Sequence, residues 1–322
     1  MIHSERKKIF TWHIHGSYLF YLSQGNFDIY IPVNEKRNEG YYGRGQTFPF
    51  GNNVIEVAAE QVKNLGFDVI LYQTDTNYLI DQYEILSPQQ RELPRVFLKH
   101  DTSMNGADIV VDDPSVLIVH VTHFNSLMWN NKDLNTLVIR HGVTNNGHLW
   151  SGRINKGITA VNHLCQRGRP MGADIFNKVR KTIPIDIIGM GTEDLAGFEV
   201  LHPYLPEYMA NYRFYFNPSR VSSLPLSLCE VMMLGMPVVA LATTELPLII
   251  KDGFNGFIHN DPQYLIGKMK QLLENKELAT ELGRNARETA FELFGIERFI
   301  NEWNEAFESV SIPAKTDLER TL

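Results

Sequence analysis

Apolar runs of strand length alternate along the chain with polar or amphipathic stretches. This rhythm favours parallel sheets covered by helices on both faces. Residues 8–13 (KIFTWH) read as the first strand and lead into a turn at His15-Gly16-Ser17; residues 27–32 (FDIYIP) read as the second. Residues 34–51 are polar and glycine-rich and read as a long loop, and residues 54–64 are expected to be helical. Residues 67–72, 95–100, 116–122 and 136–140 complete a first set of buried strands. The rhythm then restarts, with a strand at 149–152 and a helix from about 157 to 166. Strands at 183–189, 212–217 and 237–241 follow, with a helix at 226–234 stopped by Gly235. Two more helices are expected at 261–275 and 276–294. A last one, at about 296–308, carries Phe299, Trp303 and Phe307 on one apolar stripe and is expected to cross back onto the first half.

A chain of 322 residues is long enough for two hydrophobic cores. The strand pattern breaks at 140–146, so the expected division is a domain at 1–145, a second at 146–310 and a polar tail at 311–322. The net charge of −7 argues against nucleic acid as a partner and against bulk attraction to anionic lipid. Cys165 and Cys229 are far apart and lack CxxC spacing, so neither a disulfide framework nor a zinc site is indicated. The start of the chain has no apolar signal-peptide core, and no run reaches the ~18 apolar residues of a membrane span. The expected location is therefore cytoplasmic, at most peripheral to the inner face of the membrane.

The most informative stretch is residues 218–240, PSRVSSLPLSLCEVMMLGMPVVA. It reads as a loop, a helix with Pro225 near its first turn, and a glycine stop before a buried strand. The start of such a helix offers free N–H groups and partial positive charge to a diphosphate. Glu230 lies about one turn inside, where a carboxylate can accept both hydroxyls of a ribose. The stretch resembles the donor-site signature of the glycogen-synthase-like "group one" glycosyltransferases, P-S-x-x-E-G-F-x-L-x-x-L-E-A-M-A-x-G-x-P-V-V-A. Pro218, Ser219, Leu226, Glu230, Met232, Gly235, Pro237, Val238, Val239 and Ala240 match it in register.

The resemblance implies two Rossmann-like doubly wound α/β domains facing a cleft, the GT-B architecture, with acceptors bound by the first and the donor by the second. It implies glycosyl transfer from a nucleoside diphosphate sugar, UDP- or GDP-linked, to an acceptor hydroxyl, with retention of configuration and without metal or other cofactor. The acceptor could be a glycan, a lipid-linked sugar or a protein. Glu230 would bind the nucleotide ribose, with Leu224, Leu226 and Ser227 beside it. Ser222 and Ser223 stand where the family has Glu and Gly against the donor sugar, which implies an altered sugar preference with the nucleotide site retained.

Four further assignments follow from the same resemblance. Ser151-Gly-Arg-Ile-Asn-Lys-Gly157 resembles the G-R-…-K-G segment that holds the donor phosphates, which would assign Arg153 and Lys156 to the diphosphate. Ile187-Ile-Gly-Met-Gly191 resembles the loop lining the nucleotide pocket, through Gly189. Residues 201–206 fall where the base-binding loop lies, with Tyr204 as a contact. Gly16 and His100 fall where relatives place a phosphate-facing turn and a histidine that contacts the donor sugar, making His100 the catalytic candidate. His120, His123 and His141 lie at similar strand ends but lack the spacing of a metal site. Two rival readings stay open: a sugar-nucleotide epimerase or hydrolase on the same fold, and a non-catalytic nucleotide-sugar-binding subunit.

Overall fold

The computed structural model describes residues 6–311. The tail at 311–322 falls, apart from Ser311, outside the described residues. Seven strands form a first sheet: β1 (Lys7–Thr11), β2 (Phe27–Val33), β3 (Val54–Ala58), β4 (Val69–Tyr72), β5 (Arg95–Lys99), β6 (Leu117–His120) and β7 (Thr136–Val138). Five form a second: β8 (Ile154–Ala160), β9 (Ile185–Ile188), β10 (Tyr212–Asn217), β11 (Val238–Ala240) and β12 (Gly256–Ile258). Their orders are β3-β2-β1-β4-β5-β6-β7 and β12-β11-β10-β8-β9. Every pairing is parallel. Parallel strands need crossovers that cover both faces, which is why β4, β6 and β10 are buried at every position.

Both orders are those of doubly wound sheets. The strand order reverses between β1 and β4 in one and between β8 and β10 in the other. Crevices open at such points, beyond the carboxyl ends of the strands.

Two expectations are corrected. Residues 54–64 are not one helix: Val54–Ala58 pairs with β2, and only Ala59–Asn64 winds into a 3-10 turn. The β-branched run Val54-Ile55 suits an edge strand, and the apolar spacing of Val54, Val57 and Val62 mimics a helical face. The second half begins not with a strand at 149–152 but with an irregular segment, in which Ser151 N donates to Ala210 O at 2.8 Å. The strand is Ile154–Ala160, and the helix expected at 157–166 shrinks to Leu164–Arg167. Gly157 sits mid-strand because a methyl group there would collide with the Phe214 ring on β10.

The Leu226–Leu234 helix ends as expected at Gly235, whose φ of 85° suits glycine, with Met236 N closing onto Val231 O at 3.0 Å. The last helix runs Ile296–Ser311. Phe299, Trp303 and Phe307 are fully buried on it. Trp303 Nε1 donates to the Tyr18 hydroxyl at 3.0 Å, and the Phe307 ring meets Phe27 at 5.4 Å. A helix that follows the second sheet thus packs on the first.

Candidate functional site

The two sheets present their carboxyl-terminal strand ends to each other, and the space between holds two adjoining cavities of about 460 and 340 Å³. His15, Ser17, Ala160, Val161, Asn162 and Leu226 line both. Ala160 closes β8, Val161 and Asn162 follow it, and Asn217 closes β10, so the cavities open at the reversal point of the second sheet. His15 and Gly16 follow β1, at the reversal point of the first.

The larger cavity has an apolar end made by Ile188, Met190, Val200 and Leu205, with Gly189 between them. Beside it the Leu226–Leu234 helix buries Leu228, Cys229, Val231, Met232, Met233 and Leu234. Ser227 and Glu230 are left to face the cleft. Glu230 Oε1 accepts the Tyr21 hydroxyl at 2.7 Å and lies 3.2 Å from His202 Nε2. Burial and the nearby carboxylate hold the Tyr21 phenol well above its usual range, so it stays protonated and donates. Among the described residues nothing bonds Oε2. One carboxylate oxygen is therefore fixed by the protein and the other remains for a ligand in the cavity.

The smaller cavity is lined by His100, Asn217, Ser222, Ser223, Leu224, Pro225 and Leu226, and by Arg167. The His100 ring lies 3.9 Å from that of His15 and 4.6 Å, edge to face, from Tyr18. Its Nε2 and the Asn217 Nδ2 are buried without a partner. A buried polar group without a partner costs on the order of 1–3 kcal/mol. Two such groups on one cavity mark a place where a hydroxyl-rich ligand would be welcome. Burial, then the neighbouring His15, holds the His100 imidazole well below its ordinary range, so it is neutral near pH 7.

The remaining sequence assignments divide. Gly16, Gly189, Leu224, Leu226, Ser227, Ser222, Ser223, His100 and Glu230 all line the two cavities. Arg153 and Lys156 do not. Because the strand starts at Ile154, both sit at its amino-terminal half, away from the cleft. Arg153 is exposed, and Lys156 pairs with Asp186 on β9 at 3.1 Å. Among the described residues, the Arg or Lys that lines the cavity is Arg167, in the last turn of the short helix after β8. Tyr204 is 66% exposed and lines neither cavity; its neighbours Val200, His202 and Leu205 do. His120 is engaged with Asn131 at 2.8 Å, and His141 with Leu224 O at 3.0 Å. Sequence reasoning missed Tyr21, His202, Asn162, Arg167 and Asn217. Only Arg167 left a trace, as a basic residue a few positions beyond the strand.

Burial lowers the pKa of His13, His15, His100, His120 and His141, that of His141 to about 4. Below pH 6.5 the unfolded chain therefore binds more protons than the folded one, and stability falls as pH falls. Urea unfolding should show the midpoint constant from pH 8 to 7 and dropping between about pH 6.5 and 4. His141→Gln should flatten that slope by on the order of 1 kcal/mol per pH unit. An unchanged slope in that variant would remove His141 from the account.

Two doubly wound domains with a ligand-sized cleft between their strand ends define the GT-B architecture. Solved structures agree on the fold. Sucrose-phosphate synthase from Thermosynechococcus elongatus superposes with a TM-score of 0.71, at 14% identity over 95% of this chain and 99% of that one. Anabaena HepE, solved with UDP and glucose, gives 0.66 at 15% identity over 94% and 100%. Residues 196–289 match the family described as Glycosyl transferases group 1. An uncharacterized glycosyltransferase of Haemophilus influenzae is 26% identical over 170 residues, 46% of this chain. The match spans about half of that relative's length, 48%. No described helix is long and apolar enough to cross a membrane.

Proposed function

We propose that this chain transfers a sugar, with retention and without a metal, from a UDP- or GDP-linked donor to an acceptor hydroxyl on a glycan, a lipid-linked sugar or a protein. On this reading it works on the cytoplasmic side, at most peripheral to the membrane, with residues 1–145 receiving the acceptor and residues 146–310 the donor. The observation that carries it is Glu230: one carboxylate oxygen held by Tyr21 and His202, beside an apolar pocket of base-like character and a helix start. The ribose diol would bind Oε2. The diphosphate would lie at the start of the Leu226–Leu234 helix, within reach of Arg167. The sugar would then fall in the smaller cavity, where neutral His100 and Asn217 donate to its hydroxyls. Negative charge building on the leaving diphosphate would be met by the helix start and Arg167, groups already in place before reaction. The loop at 34–51 brings Thr47 and Phe48 to the opposite wall, past which an acceptor would enter.

Glu230→Ala should weaken UDP or GDP binding by about 1.5–3 kcal/mol, the scale of a charge-assisted hydrogen bond. Calorimetry decides. Unchanged affinity in a folded variant would sink the ribose assignment. A protein that releases the sugar equally fast with and without acceptors would instead be a hydrolase.

A further inference from the structure

Glu245 belongs to neither cavity, yet it is a fully buried carboxylate that takes its hydrogen bonds from the other half of the molecule. Its Oε1 accepts from Arg140 Nη2 at 3.1 Å and Nε at 3.3 Å, just beyond β7. Its Oε2 accepts the backbone N–H of Phe124 at 3.0 Å, in the first turn of the His123–Met128 helix. A buried charge satisfied only across a domain boundary is lost if the boundary opens, so it resists opening.

The residue before it ties this anchor to the donor loop. Thr244 holds a φ of 52°, a left-handed conformation that a β-branched residue adopts only under constraint. Its hydroxyl lies 2.7 Å from Ser222 O and 3.3 Å from Ser223 O. The loop is tied again on its far side: Ser223 Oγ donates to His100 O at 2.8 Å, and His141 Nε2 donates to Leu224 O at 3.0 Å. Asn125 Nδ2 also donates to His100 O, at 3.0 Å, from the helix that Glu245 grips. The ties therefore form a closed circuit: Glu245, the Phe124–Asn125 turn, His100, Ser223, Thr244.

We propose that Glu245 is a positioning residue, and that its cross-domain brace fixes the distance between His100 and the donor loop before any ligand arrives. Ser223 is the brace's second arm, a tie that glycine at this position could not make. The catalytic meaning rests on the transferase reading above, whereas the closed cleft itself does not.

The test uses the full chain, Glu245→Gln and Ser223→Ala, read by small-angle scattering and by binding and turnover of UDP- and GDP-sugars. Wild type should scatter alike with and without UDP or GDP, because the cleft is already set. Glu245→Gln keeps the side chain's shape but withdraws the charge that Arg140 answers. Its radius of gyration should rise and shrink back on adding the nucleotide that binds. Its kcat should fall about 10- to 100-fold, the scale of an ångström's misplacement, with the Kd for the free diphosphate little changed. Ser223→Ala touches no buried charge and should show the same split between kcat and Kd, with Ser223→Thr restoring turnover. A folded Glu245→Gln with wild-type scattering and kcat overturns the proposal. So does Ser223→Ala with wild-type kcat, or a wild type that itself compacts on nucleotide. If wild type binds neither UDP nor GDP, the nucleotide reading fails while the scattering of Glu245→Gln still decides the brace.

Discussion

Trp303→Ala is expected to lower stability by about 3–5 kcal/mol, the range for removing a large buried aromatic. The indole is fully buried, donates to the Tyr18 hydroxyl at 3.0 Å, and packs against Phe307 at 4.9 Å and Phe299 at 6.5 Å. Truncation would leave a cavity and strip Tyr18, itself a buried phenol, of its partner. Because Tyr18 stands edge-on to His100, the damage should reach the site as well as the fold. Urea unfolding monitored by fluorescence and circular dichroism measures it. Trp303→Phe, which keeps most of the volume, should recover more than half of the loss. A cost below about 1 kcal/mol for alanine would mean that the final helix is not integral to the first half.

The second large effect is expected at His100. Its ring nitrogen has no protein partner, it lies on the smaller cavity, and burial keeps it neutral. A neutral imidazole can donate one hydrogen bond to a sugar hydroxyl or to an oxygen gaining charge. His100→Ala should reduce kcat on the order of 10²–10³, as removal of a placed donor in a closed site does. Binding of the free nucleoside diphosphate should be spared, because Glu230 lies in the larger cavity. Because the folded pKa lies well below 6.5, kcat should show no loss from His100 protonation between pH 8 and 6.5. Turnover within threefold of wild type in the alanine variant would return His100 to a structural role.

Much of this was legible in the sequence where meaning is local. The strands β2, β4, β5, β6 and β10 were announced by short apolar runs, and the Leu226–Leu234 helix by its proline start and glycine stop. Ser222, Ser223, Leu226, Ser227 and Glu230 sit on one continuous segment that a single motif spans, and all of them line the cavities. The errors around β8 share one physical origin. Gly157 was read as the opening of a helix when its small size serves strand packing against Phe214, and that displaced the strand by about five residues. The same displacement carried Arg153 and Lys156 to the wrong end of it. Tyr21 and His202 could not be found this way. The Tyr21–Glu230 contact joins positions 209 apart, and nothing in the residues around Tyr21 distinguishes it from a core aromatic.

The return of the Ile296–Ser311 helix onto the first sheet has a consequence for biosynthesis. Residues 296–311 leave the ribosome after the whole second domain, yet they supply Trp303 to Tyr18 and Phe307 to Phe27. The first domain therefore emerges with an open apolar seam and keeps it throughout synthesis of its neighbour, a period in which unpaired apolar surface invites aggregation. A nascent chain stalled after Phe294 would remain protease-sensitive around residues 16–27, and one extended past Ser311 would become resistant there. The domain made first is the domain finished last.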